Sequence, residues 1–189
     1  MACPYSRGRL MHFELRRAHQ RYLPLLGQRQ RHVEAALAPP EAVQVEAPAK
    51  ALLLNALEAQ GAFHGGPLFG HHEDRTLRLR YANPAGYHVR MAQDPLALDP
   101  GYLLGLTDAY RQGDPALDWV GHWLTWPDGQ LPEQREALSW FDEARDLHLV
   151  GPQHCLLLVG WADQQLTASA LVVNETTGEC AWLPTRLWK

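Results

Sequence analysis

The order of the short apolar runs constrains this chain most. Val43–Val45 reads as a brief strand and Ala47–Gln60 as a helix whose apolar face carries Ala51, Leu52, Leu54 and Leu57, with Gly61 placed to end it. Pro67–Phe69 and Leu77–Tyr81 are strand-length runs on either side of the polar stretch His71, His72, Glu73 and Asp74, which is the pattern of a hairpin. Residues 82–118 are punctuated by prolines and glycines and leave room for one helix near Leu103–Arg111. Trp119–Trp126 is then a strand candidate and Leu138–Leu147 an amphipathic helix. Cys155–Trp161 and Leu166–Val173 are strands turning near Asp163, and a last strand is expected over Cys180–Leu183. Strand, helix, hairpin, insertion, strand, helix, hairpin is an α+β order.

Ahead of this lies a different kind of sequence. Residues 11–37 read as helical and Pro39–Pro40 stop the pattern, so 1–40 is expected to be a basic helical arm on a domain spanning 41–185. A chain of 189 residues fits one core plus an appendage. The net charge of -4 hides an asymmetry: seven arginines stand in the first 33 residues against the single acid Glu14, which leaves the body acidic. Such an arm can contact nucleic acid or an acidic partner, or lie on the body itself, and Arg16, Arg17, Arg21, Arg29 and Arg31 are its candidate contact residues. No apolar run approaches the roughly 18 residues of a membrane span, and the start lacks a signal-type core, so a cytoplasmic location and no membrane partner are expected. Cys3, Cys155 and Cys180 form no CxxC pair, against both a disulfide framework and a cysteine-rich zinc site.

Two local patterns carry the functional reading. One is Gly65, Gly66, Pro67, Leu68, Phe69 and Gly70, opening a strand; the other is Gly121 to Gly129, with His122, Trp123, Leu124, Thr125, Trp126, Pro127 and Asp128, then Pro132, Glu133 and Glu136. Together, and with the elements around them, they resemble the JAB/MPN (JAMM) metalloprotease family over roughly residues 41–175. The resemblance implies a cytidine-deaminase-like mixed sheet flanked by helices. In that family a Glu serves as general base for a zinc-bound water, while two His and an Asp hold the metal. Here the Glu position is Phe63, the two His positions are Leu124 and Trp126, and of the family's following Pro-Ser-x-x-Asp segment the Ser position is Glu133 and the Asp position Glu136. The resemblance therefore implies a degenerate, non-catalytic member without a cofactor, serving as a scaffold, dimerisation or partner-binding module. Phe63, Leu124 and Trp126 are expected to converge as an apolar plug in the former mouth.

Two rival readings follow from the residues. The arginine arm supports a nucleic-acid-binding protein, with DNA-repair-associated relatives of the same family as a parallel, although a pI near 6.2 is low for that class. A metallopeptidase with a rearranged zinc site would draw on His122, Glu136 and His64, of which His122 is otherwise expected as a polar side chain at a pocket rim. Cys155 sits beside the apolar run Leu156–Val159 and reads as a buried structural thiol. GxSxG and glycine-rich phosphate loops are absent. Of the seven tryptophans, at least four are expected in the core and Trp188 is the one expected exposed.

Overall fold

The computed structural model describes residues 38–59, 61–86 and 94–187. The arginines of the expected arm, and Trp188, lie outside them. Among the described residues, three helices and eight strands follow in the order β1 (Ala42–Val45), α1 (Ala47–Glu58), β2 (His64–Glu73), β3 (Thr76–Ala82), α2 (Pro100–Gly113), β4 (Asp118–Thr125), α3 (Gln134–Asp146), β5 (Cys155–Ala162), β6 (Gln165–Val173), β7 (Cys180–Leu183) and β8 (Thr185–Leu187). Local chemistry explains the helices. Asp99 caps α2 by accepting from the backbone N–H of Gly101 and Tyr102 at 2.8 and 3.0 Å, with Pro100 supplying the fixed φ of a first turn. In α3 the buried residues Ala137, Phe141 and Ala144 recur at helical spacing, so one stripe faces the sheet and the rest stays in water.

All eight strands belong to one mixed sheet, ordered β7-β6-β5-β4-β2-β3-β1-β8. β7 and β8 come from a single run interrupted at Pro184. β7 pairs antiparallel with β6 at one border of the sheet, and β8 pairs parallel with β1 at the other. The Pro184 carbonyl accepts from Val43 N–H at 2.9 Å, and the Thr185 hydroxyl accepts from Ala170 N–H at 3.2 Å, so one short segment ties both borders together. The sheet therefore curls into a nearly closed, barrel-like shape, which leaves few unpaired edges.

This corrects the expected architecture. The helix-flanked JAB/MPN-like layered sheet is not what forms: the fold is mostly sheet, nearly closed on itself, with three helices among the described residues. The reason is the segment after Leu183, where β8 closes the sheet. The hairpin is also longer than expected. His71, His72 and Glu73 extend β2, and the turn is made at Asp74, which takes a left-handed φ of 53°.

The strands separate two hydrophobic clusters. The inner one draws on every strand and on α1, through Val43, Leu68, Leu77, Trp123, Leu157, Ala170, Leu183 and Leu187 with Leu53 and Leu57. The outer one joins α2 and α3 to the sheet through Phe69, Leu103, Leu124, Phe141, Leu156 and Leu171. Alternation sends neighbours to opposite faces, so Trp123 points in while Leu124 points out. Two register shifts near Phe69 break the pairing and bend the sheet there. Gly121 beside them has a φ of 142°, and a side chain on it would collide with the Cys155 carbonyl. No helix among the described residues is long and apolar enough to cross a membrane.

Candidate functional site: an aromatic-rimmed cavity

At the end of the sheet where β2 begins, the chain passes over its own strands several times. The loop at 83–85 and the segment at 94–95 both cross the start of β2, so close that a side chain on Gly66 would strike the Asn83 carbonyl and one on Gly65 the Pro95 carbonyl. The glycine pair is thus required by two close backbone approaches. Between these crossings, α1 and the approach to β2 lies a cavity of about 630 Å³, with Leu52, Ala56, Phe63, Asp94, Pro95 and Trp123 among its walls. Leu52 and Phe63 stand on it 37% exposed, and the third exposed large apolar side chain among the described residues, Trp182 on β7, is not part of it.

Phe63 also opens a second feature. Its ring packs against Trp126 with centroids 6.1 Å apart and against Trp140 at 5.4 Å, while the two indoles meet edge to face at 6.2 Å. Trp126 Nε1 donates to the Glu136 carboxylate at 2.6 Å, a short charge-assisted bond that fixes the indole. Glu136, Trp140 and Glu143 follow one another at i, i+4 and i+7 on α3. The Glu143 carboxyl is held above the usual carboxylate range, by burial first and then by the negative charge of Asp94.

The residues expected to form a site are distributed as follows. Trp126 is nearly buried and Phe63 touches it from the surface, while Leu124 is wholly buried in the outer cluster. Glu133 precedes α3 as an exposed residue whose side chain makes no capping bond. His122 is not at a rim: it is fully buried beneath the cavity wall, its Nε2 donating to the Pro95 carbonyl at 2.9 Å. With that proton assigned, Nδ1 is left as a buried acceptor without a partner, and burial pulls the pKa down to about 4. His64 donates from Nε2 to the Ala59 carbonyl at 2.7 Å. His122, His64 and Glu136 do not converge, and no group of three His, Cys, Asp or Glu side chains placed to hold a metal occurs among the described residues. Burial pushes the Cys155 thiol up to about 12, as fits a structural cysteine. Trp123 and Trp126 are buried, Trp119, Trp140 and Trp161 are half-buried and packed against the two clusters, and Trp182 is exposed.

Leu52, Asp94, Trp140 and Glu143 were not expected as site residues. The one signal for them is on the helices. Ala51, Leu52, Asn55 and Ala59 make an exposed flank of α1 with no charge, and Trp140 sits one turn beyond Glu136.

Comparison with known proteins adds the fold and no activity. No family model and no curated protein matches the chain. Among solved structures it resembles protein DSY2949 from Desulfitobacterium hafniense, with a TM-score of 0.51 and 12% identity over 78% of this chain and 93% of that one, a likeness of fold alone.

Proposed function

We propose that this protein is a non-catalytic binding module that holds an apolar segment of a partner protein in the cavity at the start of β2. The observation that carries the reading is the placement of exposed apolar surface: Leu52 and Phe63, two of the three exposed large apolar side chains among the described residues, border the same cavity. Exposed apolar side chains gathered at a concave site mark interaction surfaces more often than scattered ones do. Support also comes from the candidate reactive groups. The thiols of Cys155 and Cys180 are pushed up by burial to about 12 and about 11, away from nucleophilic use, and His122 is committed to the Pro95 carbonyl.

An uncharged apolar dye such as Nile red tests this on the purified protein. The reading expects saturable binding that Ala59→Trp, which fills the cavity, removes and that Trp182→Ser leaves intact. Loss of dye binding in Trp182→Ser alone, or no saturable binding to the folded protein, contradicts it. Self-association through the same surface would show as a mass that falls in Ala59→Trp.

A further inference from the structure

We infer that the partner segment held at this site is cationic, presenting arginine or lysine side chains to the Glu136–Trp140–Glu143 stripe of α3. The inference rests on the binding reading above and deepens it by naming the chemistry of the partner.

Three observations point the same way. First, the described residues carry nineteen acidic side chains against eight basic ones, and five of the eight, Arg75, Arg78, Arg80, Arg111 and Arg145, are held in ion pairs away from the cavity. None of the ion pairs found among the described residues involves Glu136, Glu143 or Asp94, although Glu136 and Glu143 stand on α3 on either side of Trp140 in sequence and Asp94 lines the cavity with Phe63. Secondly, Asp94, in the cavity lining, stands close enough to Glu143 on α3 for its negative charge to add to burial in raising the Glu143 carboxyl, a repulsion that a cation near both relieves. Thirdly, the half-buried Trp140 and exposed Phe63 offer ring surface between the acids, and an aromatic face attracts a guanidinium or ammonium by its quadrupole, most strongly where water is partly excluded.

Spacing narrows the form of the segment. Glu136 and Glu143 are seven residues apart on α3, a rise of about 10 Å. A chain in the polyproline II conformation advances about 3.1 Å per residue with three residues per turn, so two cations separated by two residues face the stripe together about 9 Å apart, and an apolar side chain between them can reach the cavity past Phe63. A nucleic-acid strand does not suit the same stripe, since its phosphates would face the two carboxylates of Glu136 and Glu143.

The test uses the full-length protein and three blocked hexapeptides: one with arginines three positions apart around a leucine, its citrulline counterpart, which keeps size and hydrogen bonding without charge, and a neutral leucine-serine control. Binding is read by calorimetry and by tryptophan fluorescence. The arginine peptide should bind at least tenfold more tightly than the citrulline peptide, with affinity falling as salt rises. Glu136→Gln with Glu143→Gln should remove that difference, since glutamine at 136 still accepts from Trp126. Equal binding of all three peptides, blocked by Ala59→Trp, would overturn the cationic inference and leave the cavity reading standing; no binding of any peptide would sink both. If only an Arg16→Gln, Arg17→Gln and Arg21→Gln protein binds the arginine peptide, the stripe belongs to the chain's own arm and the assignment to a partner falls.

Discussion

His122 shows how a single side chain can read as functional and act structurally. Its ring is wholly buried and holds the segment at 94–95 against β2, which is the wall of the cavity. Because burial lowers its pKa to about 4, the unfolded chain, near 6.5, binds a proton that the folded one refuses. Stability from this residue is complete above pH 6.5 and is lost as the pH falls toward 4, by roughly 3 kcal/mol at most. His72 and His154, also lowered by burial, act in the same direction. Urea unfolding at pH 7 and pH 4.5 checks this: the wild type should weaken between them, and His122→Gln should show a smaller drop. Gly65 meets the same wall from the other side. Gly65→Ala would press on the Pro95 and Trp123 carbonyls and should cost about 1–3 kcal/mol in the same assay.

At the scale of the element, the helices invite opposite changes. Phe141 is wholly buried under α3 in the outer cluster, so Phe141→Ala should cost about 3–5 kcal/mol in chemical unfolding. Gly105 lies inside α2 with open space around it, and Gly105→Ala should raise stability by about 0.5–1 kcal/mol. Elements with their own periodicity were legible in the sequence. The apolar run of β5, the alternation of β6 and the two-residue turn at Asp163 and Gln164, both at positive φ, announce a hairpin without help from elsewhere. β8 was not legible, because Thr185, Arg186 and Leu187 carry no strand pattern and are ordered by pairing with β1, more than 130 residues earlier. His71 and His72 look like turn residues by polarity, yet pairing with Arg78 and Leu77 extends β2 through them. The resemblance to a zinc protease rested on the joint order of a glycine-rich run, a Trp-x-Pro segment and the elements around them, and for the glycine pair close backbone packing is a sufficient reason.

The whole molecule depends on a closure that no local signal encodes. One C-terminal run covers both borders of the sheet, and the curl so produced lets a single inner cluster collect side chains from all eight strands. The cavity is non-local in the same sense, since its walls come from α1, the approach to β2, the loop at 83–85 and the segment at 94–95. Its walls are therefore set by the fold, while its exposed rim, Leu52 and Phe63, is left for a partner. The central claim is that this rim and cavity bind protein. Its most direct measurement is quantitative affinity capture from host extract, after nuclease treatment, on wild-type protein and on an Ala59→Trp variant with an unchanged melting temperature. The account predicts at least one protein retained by the wild type, resistant to nuclease and lost on the filled variant. Identical capture by both proteins, or capture that nuclease abolishes, would contradict it.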